Sequence, residues 1–163
     1  MTTSPFTAFD TALETAETPA DAWDALCALA RATVGARLFT IMELDTGAQL
    51  ARRAYTSHPA DYPTSGTKPF EMNPWFDTVM GRQETFVANT IDEIAQVFGD
   101  HLLIHSLGCA SVVNQPLIVD GRLVGTMNLL DEGGHYTPDK VAYVRTVLSG
   151  SAVRAWQKAE SLA

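Results

Sequence analysis

The stretch at residues 109–131, CASVVNQPLIVDGRLVGTMNLLD, decides the fold of this chain. It consists of two apolar runs rich in β-branched residues, and the dipeptide Asp120-Gly121 joins them. Because Asp and Gly both tolerate positive φ, this dipeptide favours a two-residue type I′ turn between paired strands. The stretch therefore predicts a β-hairpin, which requires that the sheet around it be largely antiparallel.

A second hairpin is predicted upstream, where RLFTIMELD (residues 37–45) and AQLARRAYTS (residues 48–57) flank a short turn that contains glycine. Two helices are expected before it. The first covers residues 5–16. The second begins at Asp21 as the capping residue, with Asp24 supplying a carboxylate three positions later.

The second helix is expected to end at Gly35. Cys27 falls within its apolar stripe, which favours a small core residue.

The segment between the two hairpins begins with an irregular loop at residues 58–74, which contains four prolines and one glycine. After it we expect a short helix ended by Gly81, a short strand in ETFVANT, and two short helices, of which Asp100 caps the second. A final helix is predicted from about Asp139 onward. Helices that pack on an antiparallel sheet place the chain in the α+β class.

The composition limits the possible partners. The chain has 163 residues, which suits one domain, and its net charge of -8 disfavours nucleic acid and anionic membranes. No apolar run is long enough to span a bilayer, and the first residues lack the pattern of a signal peptide, so we expect a cytoplasmic location. Cys27 and Cys109 form no metal or redox motif, although the sequence leaves a disulfide between them open.

With these elements in place, residues 107–156 resemble the closing half of a GAF domain. The resemblance consists of a helix ending in glycine, a serine-containing strand leading into PL, the DGRLVG hairpin, an NL strand, and the entry YTPDK into the last helix. Residues 26–46 resemble the opening helix and first strand of the same family, and GRQETFVANTIDEI resembles its middle segment.

The resemblance covers roughly residues 20–160. It implies a six-stranded antiparallel sheet with the N- and C-terminal helices on one face and a small-molecule pocket roofed by loops and short helices on the other. We therefore divide the chain into an N-terminal helical extension, residues 1–19, and a GAF domain, residues 20–163. The family further implies a sensor or regulatory module for a small metabolite that forms a homodimer through its terminal helices.

Three stretches are expected to converge on that pocket, because small-ligand sites combine aromatic walls with a few directed polar groups. The predicted ligand-binding residues are Tyr55, Ser57, Lys68, Trp75, Phe76, Asp100, His101, His105, Cys109, Ser111, Asn114 and Asn128. Asn114 and Asn128 interrupt otherwise apolar strands, so we expect one of the two to face the cavity. Lys68 or Arg52 would pair with a ligand carboxylate, and Arg53 is expected to face solvent.

The alternative function is a small metabolic enzyme with reductase- or hydrolase-like chemistry. Its candidate catalytic residues are Cys109, His105 and Asp100, together with His101, because His101, His105 and Cys109 follow one another at intervals of four residues. No cofactor is predicted. The same helical spacing leaves one further alternative, a metal ion chelated by His101 and His105.

Overall fold

A computed structural model describes residues 3–163, whose centre is one six-stranded sheet. Its strands are β1 (Leu38–Asp45), β2 (Leu50–Thr56), β3 (Lys68–Pro69), β4 (Phe86–Ala88), β5 (Ser111–Val119) and β6 (Arg122–Asp131). The strand order is β3-β2-β1-β6-β5-β4, and every neighbouring pair is antiparallel. The predicted α+β class and antiparallel sheet are confirmed. The short β3 lies inside the segment expected to be an irregular loop.

Helices cover both faces of this sheet. They are α1 (Pro5–Thr15), α2 (Pro19–Thr33), α3 (Pro74–Phe76), α4 (Ile91–Ala95), α5 (His101–Ser106), α6 (Pro138–Tyr143) and α7 (Ser149–Leu162). A π-helical turn, Asp77–Gly81, continues α3, and another, Val144–Leu148, joins α6 to α7. Among the residues described, no helix is both long and apolar enough to cross a membrane.

The Asp120-Gly121 turn adopts the predicted conformation, with φ of 51° at Asp120 and 77° at Gly121. The turn pairs Val119 with Arg122, and a register shift between Leu117 and Ile118 then leaves Val124 as an extra residue in β6. Beyond this extra residue, Asn114 lies opposite Asn128 and Val113 opposite Leu129. Since side chains alternate between the faces of a strand, this register places the asparagine pair on one face of the sheet and the Val113–Leu129 pair on the other.

Two hydrophobic cores result, one on each face. The larger core joins α1, α2 and α7 to sheet residues such as Phe39 and Met127. The smaller core lies under the roof formed by the loop at residues 58–74 and by α4 and α5. Cys27 is buried in the first core and Cys109 in the second, and both are free thiols, so the disulfide left open by the sequence does not form.

The start of α2 differs from the prediction. Thr18, not Asp21, is the capping residue, because its hydroxyl accepts a hydrogen bond from the Asp21 N–H while the Asp21 carboxylate accepts one from the Thr18 N–H. The backbone N–H groups of Glu17 and Thr18 donate to the Asp21 carboxylate and hold its pKa below its ordinary value. Pro19 is compatible with this start because proline at a first helical position has no N–H to satisfy.

We predict that Gly125→Ala destabilises the fold by about 1–3 kcal/mol. A methyl group at this position on β6 would overlap the Met42 carbonyl oxygen of the neighbouring strand and press on the Trp156 ring. Gly150→Ala is the control, because nothing lies near its added methyl and alanine favours the helix. Urea denaturation of both variants measures the difference, and an unchanged midpoint for Gly125→Ala would contradict this packing.

Candidate functional site

A cavity of about 80 Å³ lies between the sheet and the roof. Its floor is the sheet face opposite the larger core, formed by Thr40, Met42, Val112, Asn114, Asn128 and Leu130. Its walls and rim are Arg53, Tyr62, Trp75, Phe98, Asp100 and Ile104. The cavity thus lies where the family resemblance placed a pocket, with apolar and aromatic walls around a few polar groups.

A directed chain of hydrogen bonds crosses the floor. The Trp75 indole N–H donates to the Asn114 Oδ1 at 3.1 Å, and the Asn114 amide donates to the Asn128 Oδ1 at 2.6 Å. The Asn128 amide in turn donates to the Thr40 hydroxyl oxygen at 3.1 Å. All three strand residues are buried, so this network satisfies amides that would otherwise each cost roughly 1–3 kcal/mol.

Three side chains close the rim, and we call Arg53, Tyr62 and Asp100 the clasp. The Tyr62 hydroxyl donates to the Asp100 carboxylate at 2.6 Å, and the Arg53 guanidinium approaches the same oxygen at 3.4 Å. The guanidinium carbon also lies 3.7 Å from the centroid of the Tyr62 ring. Burial, reinforced by the Asp100 charge, raises the pKa of Tyr62 well above its usual value, so the phenol remains a donor.

A β-bulge explains why Arg53 reaches the cavity. Ile41 pairs with Tyr55, but the next residue, Met42, pairs with Arg53, so Ala54 is an extra residue in β2. The extra residue reverses the alternation and turns Arg53 to the side of Met42. The expectation that Arg53 faces solvent is wrong: only 16% of its side chain is exposed. Arg52 pairs instead with Glu43 at 2.6 Å outside the cavity.

Four predicted ligand-binding residues of the first half lie outside the cavity. Tyr55 lies on the opposite sheet face, where it packs against Phe39 and donates to Asp24 at 2.5 Å. Ser57 accepts from the Phe39 N–H and contacts His58. Lys68 is exposed on the edge strand β3, and Phe76 packs against Phe70 with centroids 6.0 Å apart.

Four predicted residues near α5 also do not line the cavity. Ser111 is fully buried and donates to the carbonyls of Asp131 and Glu132, which is a structural role. Cys109 is fully buried in the smaller core. His105 is exposed, while the His101 Nδ1 donates to the Phe98 carbonyl at 3.1 Å.

The predicted residues that line the cavity are therefore Trp75, Asp100, Asn114 and Asn128. Asp100 precedes α5 as expected but makes no capping hydrogen bond with its side chain, because the carboxylate is engaged in the clasp. Arg53, Thr40 and Phe98 were missing from the prediction. Thr40 and Phe98 sit in segments whose composition is typical of core, and the bulge that turns Arg53 has no sequence signature.

The residues proposed for an enzyme are not assembled into a catalytic centre. Asp100 lines the cavity, whereas Cys109 is sealed in the core and His105 faces outward. Burial, with the nearby Asp131 charge, raises the pKa of the Cys109 thiol to about 11, which suppresses the reactive thiolate. Within residues 3–163, no group of three or more His, Cys, Asp or Glu side chains is placed to hold a metal ion.

A larger groove, of about 810 Å³, lies on the surface between the two hairpin tips and the C-terminal half of α7. It is lined by Asp45, Gly47, Asp120 and Arg122 and by Trp156 of α7, among others. None of the predicted ligand-binding residues lines it. The roofed cavity is therefore the better candidate site, since there buried polar groups converge on an enclosed space.

A comparison with protein families agrees with this architecture, since the family model described as GAF domain matches residues 16–153. The chain belongs to the GAF domain family. GAF domains are typically small-molecule-sensing or regulatory modules. A comparison with curated proteins gives no match.

Solved GAF domains share the fold at low sequence identity. The GAF domain of a two-component sensor histidine kinase from Bacillus halodurans superposes with a TM-score of 0.70 at 12% identity, covering 90% of this chain and 98% of that one. The GAF domain of a phosphoenolpyruvate-protein phosphotransferase from Coxiella burnetii gives 0.68 at 14% identity, covering 93% and 92%.

An enzyme of the same fold is also similar. The free methionine-R-sulfoxide reductase from Neisseria meningitidis, solved in complex with its substrate, gives a TM-score of 0.67 at 14% identity and covers 95% of this chain and 87% of that one. At such identities the likeness is one of fold, and it transfers no ligand or activity to this chain.

We predict that Cys109 resists alkylation in the folded protein. A thiol pKa raised from 9.0 to about 11 lowers the thiolate fraction at pH 8 roughly 100-fold, and burial blocks the reagent. Iodoacetamide labelling followed by mass spectrometry would measure this, with the urea-unfolded chain as the reactive reference. Rapid labelling of Cys109 in the native protein would revive a nucleophilic role for it.

Proposed function

We propose that this GAF domain is a sensor that binds a small metabolite in the roofed cavity. The observation that carries the proposal is the buried chain from Trp75 through Asn114 and Asn128 to Thr40, next to the charged pair of Arg53 and Asp100. A floor needed only for stability is best built from apolar residues, because buried polar groups add little net stability even when paired. Polar groups that converge on an enclosed space are instead what a ligand site requires.

The clasp supports a role for the loop at residues 58–74 as a lid. This loop contributes Tyr62, and it is held by the Tyr62–Asp100 hydrogen bond and by the Arg53 guanidinium, which donates to the Pro63 carbonyl at 2.8 Å. The Arg53 N–H also donates to the Ser65 hydroxyl at 3.0 Å. Entry of a ligand larger than the cavity would break the Tyr62–Asp100 contact, so occupancy would be coupled to the position of this loop.

We also propose that the chain is a cytoplasmic homodimer that pairs through its terminal helices. Two free buried thiols support the location, because such cysteines fit a reducing compartment. Support for pairing comes from the C-terminal helical region, where Val147 is 37% exposed and Val153 is half-buried. Apolar side chains left on a helix surface are suited to contact a second copy.

A ligand bound in the cavity should stabilise the protein, and that effect should depend on Asn114. We predict that metabolites raising the melting temperature of the wild type bind Asn114→Leu about tenfold more weakly or worse, because a ligand group loses its hydrogen-bond partner. Thermal-shift screening identifies such metabolites, and isothermal titration of the hits gives their affinities.

Lys68→Ala is the matched control, since Lys68 is exposed outside the cavity and its loss should leave affinity unchanged. Phe98→Trp, which enlarges a wall residue, gives a second variant in case Asn114→Leu folds poorly. Hits that bind both cavity variants as tightly as the wild type would place the ligand elsewhere and refute the proposed site.

Dimerisation is tested separately. We predict that the wild type sediments as a dimer and that Val147→Asp shifts it toward monomer, because a buried unpaired carboxylate opposes association. Sedimentation velocity over a range of concentrations measures this. Met72→Asp is the control, since Met72 is also an apolar side chain and is still more exposed, at 79%, but lies in the loop at residues 58–74. A wild type that remains monomeric at high concentration would exclude this dimer.

A further inference from the structure

The Trp75 indole fixes the direction of every hydrogen bond on the cavity floor. An indole nitrogen only donates, so the Asn114 group facing it must be the amide oxygen. The Asn114 nitrogen therefore faces Asn128, whose oxygen accepts and whose own nitrogen faces Thr40. The chain thus ends at the Thr40 oxygen as an acceptor, and no exchange of amide nitrogen and oxygen is compatible with its first bond.

This direction leaves the floor with a surplus of donors. Each of the two asparagine amides uses one N–H in the chain and keeps a second. The Thr40 hydroxyl accepts in this chain, while its own hydrogen has no acceptor within residues 3–163. Beside the cavity and outside its lining, the Thr126 hydroxyl is fully buried and without a hydrogen-bond partner among the residues described. Thr126 pairs with Met42, a floor residue, and so shares the cavity-side face of the sheet.

At the rim, Asp100 offers hydrogen-bond acceptors, in contrast to the donors of the floor. Asp100 presents a carboxylate whose side chain is 37% exposed and which accepts from Tyr62 and Arg53 through one of its oxygens, Oδ2. An ionised carboxylate accepts about four hydrogen bonds, so Asp100 retains acceptor capacity toward the cavity it lines. A single ligand that contacts both sides would accept at the floor and donate at the rim.

We propose, building on the sensor function above, that the cavity takes a small neutral amide or ureide whose carbonyl oxygen accepts from the floor and whose N–H donates to Asp100. A carboxylate ligand could pair with the Arg53 guanidinium only in competition with Asp100, which already lies 3.4 Å from it and would repel a second carboxylate. An ammonium would face the donors of the floor. A cavity of about 150 Å³ holds benzene, so by proportion the 80 Å³ here holds about three non-hydrogen atoms while the clasp stays closed, and a larger ligand would have to open the clasp.

Side-chain NMR signals test this directly, because the Trp75 indole and the Asn114 and Asn128 amides each give resolved ¹H–¹⁵N resonances. The full chain is titrated with propionamide, N-methylurea, propionate and propylammonium, which are matched in size but differ in charge and donor pattern. We expect saturable shifts of these three residues with the first two probes, with dissociation constants on the order of millimolar for so few atoms. Propionate and propylammonium should leave them unmoved.

Thr40→Val, nearly isosteric but without the hydroxyl, should weaken propionamide binding roughly five- to tenfold if that donor contacts the carbonyl. Lys68→Ala, outside the cavity, should not change propionamide binding.

Equal binding of propionamide to Thr40→Val and to the wild type, or shifts with propionate alone, would overturn the ligand class. A charged metabolite from the thermal screen that moves the Trp75 indole signal would overturn the class but preserve the sensor function, whereas no cavity shift with any probe or metabolite would overturn both.

Discussion

The Asp120-Gly121 turn and the extra residue Val124 together set the register of β5 and β6, and this register governs what both faces of the sheet can do. With Asn114 opposite Asn128, the amides meet each other under the roof, while Val113 and Leu129 meet under the terminal helices. A slip of one residue between the two strands would move one of the amides into the larger core and an aliphatic side chain into the cavity. The core and the candidate site therefore depend on the same turn and the same extra residue.

A second bulge, at Ala54 in β2, gives the cavity its charge. Without the extra residue, β2 would turn Arg53 away from Met42, and the Asp100 carboxylate would lose its cationic neighbour. The guanidinium also stacks on Tyr62, so one displaced backbone residue organises the whole clasp. Bulges are frequent beside functional sites for this reason, since they redirect a side chain without changing the topology.

The sequence predicts the fold better than it predicts the site, and the residues show why. The hairpins and most helices were predicted from local signals: the alternation of apolar and polar residues, the Asp120-Gly121 dipeptide, and the glycines at helix ends. Contacts such as Tyr62 with Asp100, 38 positions apart, depend on how the loop folds over the sheet, which no local pattern encodes. His105 and Cys109 share a helical spacing with His101, but α5 ends before Cys109. Cys109 is buried in the core and therefore lies apart from the two histidines. Asn114 and Asn128 were recognisable because amides in apolar strands demand partners.

The alternation of side chains also couples the position of the cavity floor to that of the helices on the opposite face of the sheet. Thr40 and Asn128 face the cavity, while their chain neighbours Phe39 and Met127 are anchored in the layer that holds α2 and α7. Because both layers are densely packed, a strand cannot tilt toward one side without displacing its neighbours on the other. A displacement of the floor would thus need no route around the domain, because it would cross the thickness of a single strand to reach the opposite helices.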